Sequence, residues 1–391
     1  MPAESRLPNA PPVVADTYRL RLPGPIAVPE RVRQATARPI LNHRGPEFRA
    51  IWARTIAKLQ PIAGTKQPVH IFATSGTGVM EAALLNIVAP GERLLIVNNG
   101  NWGERFATIG RSMGAVCKTI DVPWGENVDL AVLEARLKTH DYRALIVVHN
   151  ESSTGVIGDL ATAGRLTKNT PTLLVTDSVS GLAGMDFQMD AWGVDIVVAG
   201  SQKALMCPPG LGFLAASEKA WAVIRRDSGM PRFYFDLRRT RDSHDKGEST
   251  FTPAVSLVLG LDAALDMIHE EGLPNVLARH ARLSRGLKAG AAALGLANFA
   301  TAKMQSNTVA CFHVPEGIDG TKLIRRLFDK HRTVIAGARN RMQGKMIRLG
   351  TMGAIAEADI LTDLLHIEDV LAELGHKHSK GAGVAAAAKA F

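Results

Sequence analysis

Between residues 69 and 217 the chain alternates short apolar runs with longer amphipathic stretches. The runs Val69–Ala73, Leu94–Asn98, Ala144–His149, Leu173–Asp177, Ile196–Gly200 and Gly212–Ala216 are nearly continuous in Val, Ile, Leu and Ala. Runs of that length without polar alternation are expected of strands buried on both faces. Between them, Gly78–Val88, Trp102–Met113, Leu130–Thr139 and Ala161–Lys168 repeat apolar residues every three to four positions, which predicts helices. The rhythm predicts an α/β fold, with a mainly parallel sheet covered by helices on both faces. Ligands of such sheets gather at the carboxyl ends of the strands.

Beyond Pro253 the pattern changes to long amphipathic helices over residues 254–270 and 273–294. Strand-like and helix-like segments follow at 308–314, 322–330, 333–336, 345–349 and 356–374, as in a smaller α+β unit. The domain scheme is an N-terminal arm (1–25), a large domain (26–253), a small C-terminal domain (254–374) and a tail (375–391). The tail's alanine-rich end reads as loosely held.

Several polar clusters fall at predicted strand ends. Lys203 follows Ile196–Gly200 in an apolar stretch, where an ammonium is costly to desolvate and is primed to become a nucleophile toward a carbonyl. Its plain alternative is a snorkelling surface lysine. Asp177 ends Leu173–Thr176; it could hold a proton on a pyridine nitrogen or simply cap a turn. A strand-end acid followed by a strand-end lysine is the pair that pyridoxal phosphate chemistry requires. Ser75-Gly76-Thr77-Gly78 opens a helix and reads as a phosphate cradle or as a tight turn with its N-cap. Trp102, after Asn99-Gly100-Asn101, could stack on a planar ring or fill the core. His149 to Gly155 offers hydroxyls and an amide, and Arg348 in an apolar run could clamp a carboxylate or form a structural ion pair.

Composition narrows the picture. The formal charge of +9 suggests nucleic acid, but the basic residues are dispersed, aromatics are 5%, and no nucleic-acid-binding pattern appears. No apolar run reaches transmembrane length, and the first twenty residues carry no apolar signal segment. Cys117, Cys207 and Cys311 are widely spaced, suit a reducing cytoplasm and form no metal-ligand spacing, so no metal is expected.

Ser201-Gln202-Lys203-Ala204 with Pro208-Pro209-Gly210 resembles the class V aminotransferases, and within them the alanine/serine–glyoxylate (serine–pyruvate) group. Ser75-Gly76-Thr77-Gly78, Asn101-Trp102-Gly103, Glu151 to Gly155, Asp177-Ser178-Val179 and Ile347 to Gly350 carry the same likeness, over about residues 22–374. The resemblance implies a pyridoxal phosphate enzyme of the aspartate-aminotransferase kind (fold type I), working as a homodimer on small amino acids and 2-oxo acids. It implies phosphate contacts from Thr77, Gly78 and Gln202, with Ser75, Gly76 and Val179 completing the cofactor site. Trp102 would stack on the ring, Ser152 would meet the ring hydroxyl region and Asp177 the ring nitrogen. Lys203 would form the imine with the cofactor and carry the α-proton, and Arg348 would bind the substrate carboxylate. Thr252 would reach the other subunit's phosphate, and Gly24 would sit in a loop near the substrate. Val79 stands where some relatives have histidine, and the segment before Phe251 lacks the tyrosine that some relatives use across the dimer interface. Serine or alanine is the expected donor, glyoxylate or pyruvate the acceptor. An unusual donor (ureidoglycine, an aminophosphonate, pyridoxamine) or a lyase or desulfurase reaction is the alternative.

Overall fold

The computed structural model describes residues 18–338 and 342–391. The arm expected over 1–25 therefore lies outside the described residues as far as residue 17.

Seven strands form the central sheet, in the order Val69–Ala73, Leu211–Ala216, Ile196–Gly200, Leu173–Asp177, Ala144–Ile146, Arg93–Asn98 and Val116–Asp121. All pairings are parallel except the two made by Leu211–Ala216. Only residues 201–210 separate that strand from Ile196–Gly200, too few for the crossover a parallel return needs. The connection is consequently a loop at the carboxyl end of the preceding strand, and it carries Lys203.

The apolar runs are continuous because each face of the sheet meets its own core. Leu95, Val97, Leu145, Leu174 and Val197 pack on one side, while Leu94, Ile96, Ile146, Leu173 and Val198 pack on the other. The edge strand Val116–Asp121 escaped the sequence reading. Most of its residues are exposed or half-buried, so Lys118, Thr119 and Asp121 break the apolar signal.

A separate cluster holds the C-terminal unit, where Val309–His313, Met346–Gly350 and Ala336–Gly337 form an antiparallel sheet under helices. The sequence pattern starts this unit at 254. In the structure, helix Val255–Glu271 buries Val258, Leu259 and Leu265 in a core of the large sheet and packs on Glu30–Thr36 and Pro46–Ile62.

One expectation is corrected. The end of the chain is docked: Ala382–Ala390 is a helix lying on Leu273–Ala293 and Glu357–Glu373, with Ala387 fully buried. Alanine is the best helix former. Its small face also permits close approach, with the Gly383 carbonyl against Gly290 and the Phe391 ring against Gly286.

At the other terminus Arg19–Leu20 pairs in parallel with Thr333–Val334. Arg21, 6% exposed, donates from Nε to Asp363 at 2.6 Å and from Nη2 to Asp359 at 2.6 Å. This strap, anchored on the C-terminal unit, delivers residues 22–25 to Lys203. Among the described residues no helix is long and apolar enough to cross a membrane.

Candidate active site

A cavity of about 830 Å³ opens at the carboxyl ends of the central strands. It gathers most of the residues singled out in the sequence: Gly24, Ser75, Gly76, Thr77, Trp102, Ser152, Asp177, Val179, Gln202, Lys203 and Arg348. Gly78 lies just behind the wall. A side chain there would come 1.9 Å from Thr74 Oγ1, so the residue serves the close approach of the turn. Thr252 is absent from this wall and lines a small neighbouring cavity with Trp52, Tyr234 and Phe251.

Lys203 is held by its loop and by the strap. Ser201 Oγ donates to the Pro208 carbonyl at 2.7 Å and accepts from Leu211 N at 3.2 Å, closing the loop around it. Lys203 is 8% exposed, and its Nζ donates to the Pro23 carbonyl. Burial lowers its pKa from 10.5 to about 8; the Asp177 charge opposes the shift and Arg348 adds to it. At pH 7 that makes the neutral amine about 300-fold more abundant than at an ordinary lysine.

Asp177 is 4% exposed, with Oδ1 accepting from Val179 N at 2.6 Å. Burial raises its carboxyl to about 6, against Val179 N–H, Lys203 and Arg105, so the ionised form still prevails at neutral pH.

Helix Gly76–Ile87 begins at Ser75, whose hydroxyl accepts from Gly78 N at 3.3 Å. The N–H groups of Gly76 and Thr77 have no intrahelical acceptor and lie at the positive end of the helix dipole. Gln202 Oε1 is buried without a hydrogen-bond partner.

The next helix, Asn101–Ser112, is capped from a distance. Glu151 Oε2 accepts from Trp102 N at 2.9 Å and Gly103 N at 3.4 Å, and Ser153 Oγ accepts from Asn101 N at 3.0 Å. Burial pushes the Glu151 carboxyl up to about 7 despite bonds from Ser153 and Trp102, and Asp177 adds to the shift. The cap holds Trp102 so that its indole Nε1 donates to Ser152 Oγ at 2.8 Å.

Arg348 faces the cavity from the C-terminal sheet. Its Nε and Nη2 donate to the Gly337 carbonyl at 3.2 and 2.9 Å, and Nη1 to the Ser152 carbonyl at 3.1 Å. Arg105, unnoticed in the sequence, also reaches the cavity, with Nη1 donating to Thr77 Oγ1 at 2.8 Å. Its signal was its place three residues after Trp102, on the same helical face.

None of the three thiols lines the cavity. Burial raises Cys207 and Cys311 to about 12, so neither is a thiolate at neutral pH. Among the described residues no group of His, Cys, Asp and Glu side chains is placed to hold a metal ion.

A lysine of lowered pKa, an ionised buried acid and a neutral anion cradle around one cavity define a pyridoxal-phosphate-type α/β enzyme. The residues fit that group: helix N–H donors and the Ser75 and Thr77 hydroxyls for its phosphate, Asp177 for its ring nitrogen, and beside them Gln202, whose buried amide oxygen has no partner. Residues 33–354 match the family described as aminotransferase class-V. The chain is 35% identical to a serine–glyoxylate aminotransferase of Arabidopsis thaliana over 95% of this chain and 94% of the relative. It is also 35% identical to an L-aspartate–glyoxylate aminotransferase of Paracoccus denitrificans, over 94% of each. The solved ureidoglycine–glyoxylate aminotransferase of Bacillus subtilis superposes with a TM-score of 0.91 at 27% identity, covering 95% of this chain and 97% of that one. The chain belongs to the class V aminotransferases: it is a pyridoxal-phosphate-dependent transaminase of fold type I, as its motifs implied.

Proposed function

We propose that this transaminase moves an amino group from a small amino acid, serine or alanine, to a small 2-oxo acid, glyoxylate or pyruvate, in two half-reactions. The observation that carries the reading is the meeting of Lys203, Asp177 and Arg348 around one cavity. Glyoxylate as acceptor is supported by the three relatives above, whose names share it while their donors differ.

Bound pyridoxal phosphate supplies a carbonyl carbon for imine exchange and an electron sink for the substrate α-carbon. Lys203 Nζ would take the α-proton as general base; a pKa of about 8 leaves it basic yet partly neutral. Asp177 would keep a proton on the ring nitrogen. The Arg348 fork would orient the substrate carboxylate, Trp102 would stack on the ring, and Ser152, fixed by the indole, would meet the ring hydroxyl region. Ser75, Gly76, Thr77 and Gln202, with Val179 beside them, form the cofactor wall. Gly24 lets the strap lie over Lys203.

We infer a homodimer in which Thr252 acts on the partner's site; its absence from the wall of its own subunit's cavity supports this. Unbridged cysteines support a cytoplasmic setting.

The test is a half-reaction screen. Mixing the yellow enzyme with serine, alanine, aspartate and ureidoglycine separately should convert its absorbance and release the matching 2-oxo acid for serine or alanine. If both leave the spectrum unchanged while ureidoglycine converts it, the donor is the unusual one. Mixing Lys203→Ala with Thr252→Ala subunits should restore activity if Thr252 acts across the dimer, because one site per heterodimer is then intact.

A further inference from the structure

We propose that Arg105 is a phosphate-binding residue of this enzyme: its guanidinium, held between the Trp102 ring and Thr77, supplies the positive charge that answers the cofactor phosphate. The proposal rests on the cofactor reading above and assigns a residue that reading leaves out.

The cradle itself is neutral. Ser75, Gly76, Thr77 and Gln202 offer hydroxyls, N–H groups and an amide, but no cation. A phosphate monoester near neutral pH carries between one and two negative charges, and burying them without a counter-charge is costly. Lys203 is committed to the strap carbonyl and to the ring side. Arg348 belongs to the C-terminal sheet and is held by the Gly337 and Ser152 carbonyls. Among the described residues, Arg105 is the cation attached to the cradle.

Its geometry fits that task. The guanidinium carbon stands 4.3 Å from the Trp102 ring centroid, and Nη1 donates to Thr77 Oγ1 at 2.8 Å. Among the described residues no carboxylate pairs with it, so its one side-chain hydrogen bond goes to a neutral hydroxyl. Because the Thr77 oxygen accepts from Arg105, its own O–H remains available as a donor. Thr77 is also the second residue of helix Gly76–Ile87, so the hydroxyl, its backbone N–H and the guanidinium form one donor cluster at the helix's positive end. A planar guanidinium matches phosphate oxygens through parallel donors, and stacking on the indole limits its freedom.

The experiment compares pyridoxal phosphate with pyridoxal, which lacks the phosphate, as ligands of the full-length chain resolved from cofactor. Binding is read by absorbance and by quenching of tryptophan emission. Arg105→Gln should raise the Kd of pyridoxal phosphate by about tenfold or more, the scale of a hydrogen bond to a charged group, and leave pyridoxal within about twofold. Arg105→Lys should recover part of the difference. Equal losses for both ligands would mean that Arg105 acts through the Trp102 stack, which overturns the proposal. An unchanged ratio with a raised KM for the amino acid donor overturns it too, and assigns the guanidinium to a substrate carboxylate. Wild-type protein that binds no pyridoxal phosphate rejects the cofactor reading, and with it this assignment.

Discussion

Replacing Gly24 by alanine tests how the strap controls the lysine. Gly24 has φ +111°, and an added Cβ would stand 2.4 Å from Lys203 Cδ, 2.5 Å from Nζ and 2.6 Å from Cε. Two costs follow. A non-glycine residue in that backbone region costs about 1–3 kcal/mol, and overpacking a filled space costs about 1–3 kcal/mol more. The flexible end of the lysine can yield to the clash but cannot relieve the backbone strain. The lysine is nonetheless 8% exposed and tied to the Pro23 carbonyl, so yielding moves the reactive nitrogen. If only about 1.4 kcal/mol falls on that displacement, attachment of the cofactor slows by about tenfold. The assay mixes resolved enzyme with pyridoxal phosphate and follows formation of the lysine-linked absorbance band by stopped flow, alongside thermal unfolding. Gly24→Ala should slow the band at least tenfold and lower the Tm, whereas Gly91→Ala, another positive-φ glycine with open space around it, should lower only the Tm. Wild-type attachment rates in Gly24→Ala would refute the argument that the strap sets the lysine's position.

Asp363→Ala should destabilise the chain by about 3–5 kcal/mol in denaturant unfolding, because Arg21, 6% exposed, would lose its 2.6 Å carboxylate partner. A change below 1 kcal/mol would show that Asp359 alone suffices. Arg348→Ala should raise KM for carboxylate-bearing substrates about a hundredfold with the cofactor still bound, and unchanged kinetics would remove Arg348 from the site. The rate of cofactor attachment should rise with pH to a plateau, with a midpoint near 8 and not near 10.5, since burial lowers Lys203. Asp177→Asn should move that midpoint down, because the Asp177 charge raises the lysine's pKa. The linkage runs the same way: between about pH 8 and 10.5 the unfolded lysine holds a proton the folded one has released, so Lys203 makes stability rise with pH there. A midpoint above 10 would contradict the burial argument.

The fold was legible where local pattern and tertiary environment agree. Strands buried on both faces must be apolar throughout, so Leu94–Asn98 and Leu173–Asp177 declared themselves, and the polar residue ending each run marked the carboxyl end. Val116–Asp121 did not, since a strand at the sheet's edge keeps polar side chains in solvent. The docked end of the chain was misread for a different reason. Ala382–Ala390 has almost no amphipathic contrast, and its burial depends on Gly286 and Gly290, about a hundred residues earlier, leaving room for it.

The same division holds within the site. Lys203 and Asp177 stood out because a charge at the end of an apolar run is anomalous by itself. Arg105 did not, for an arginine on an amphipathic helix is ordinary until the helix is aimed. Its aim depends on Glu151, a buried carboxylate about fifty residues further on, capping the N-H groups of Trp102 and Gly103. Motif reading sees Glu151 and Trp102 as parts of two separate clusters. The cap joins them, turns Trp102 onto Ser152, and thereby sets Arg105 against Thr77. Residues that contact a ligand can be anomalous one at a time, whereas residues that orient them are meaningful only in pairs, and such pairs form when the chain folds.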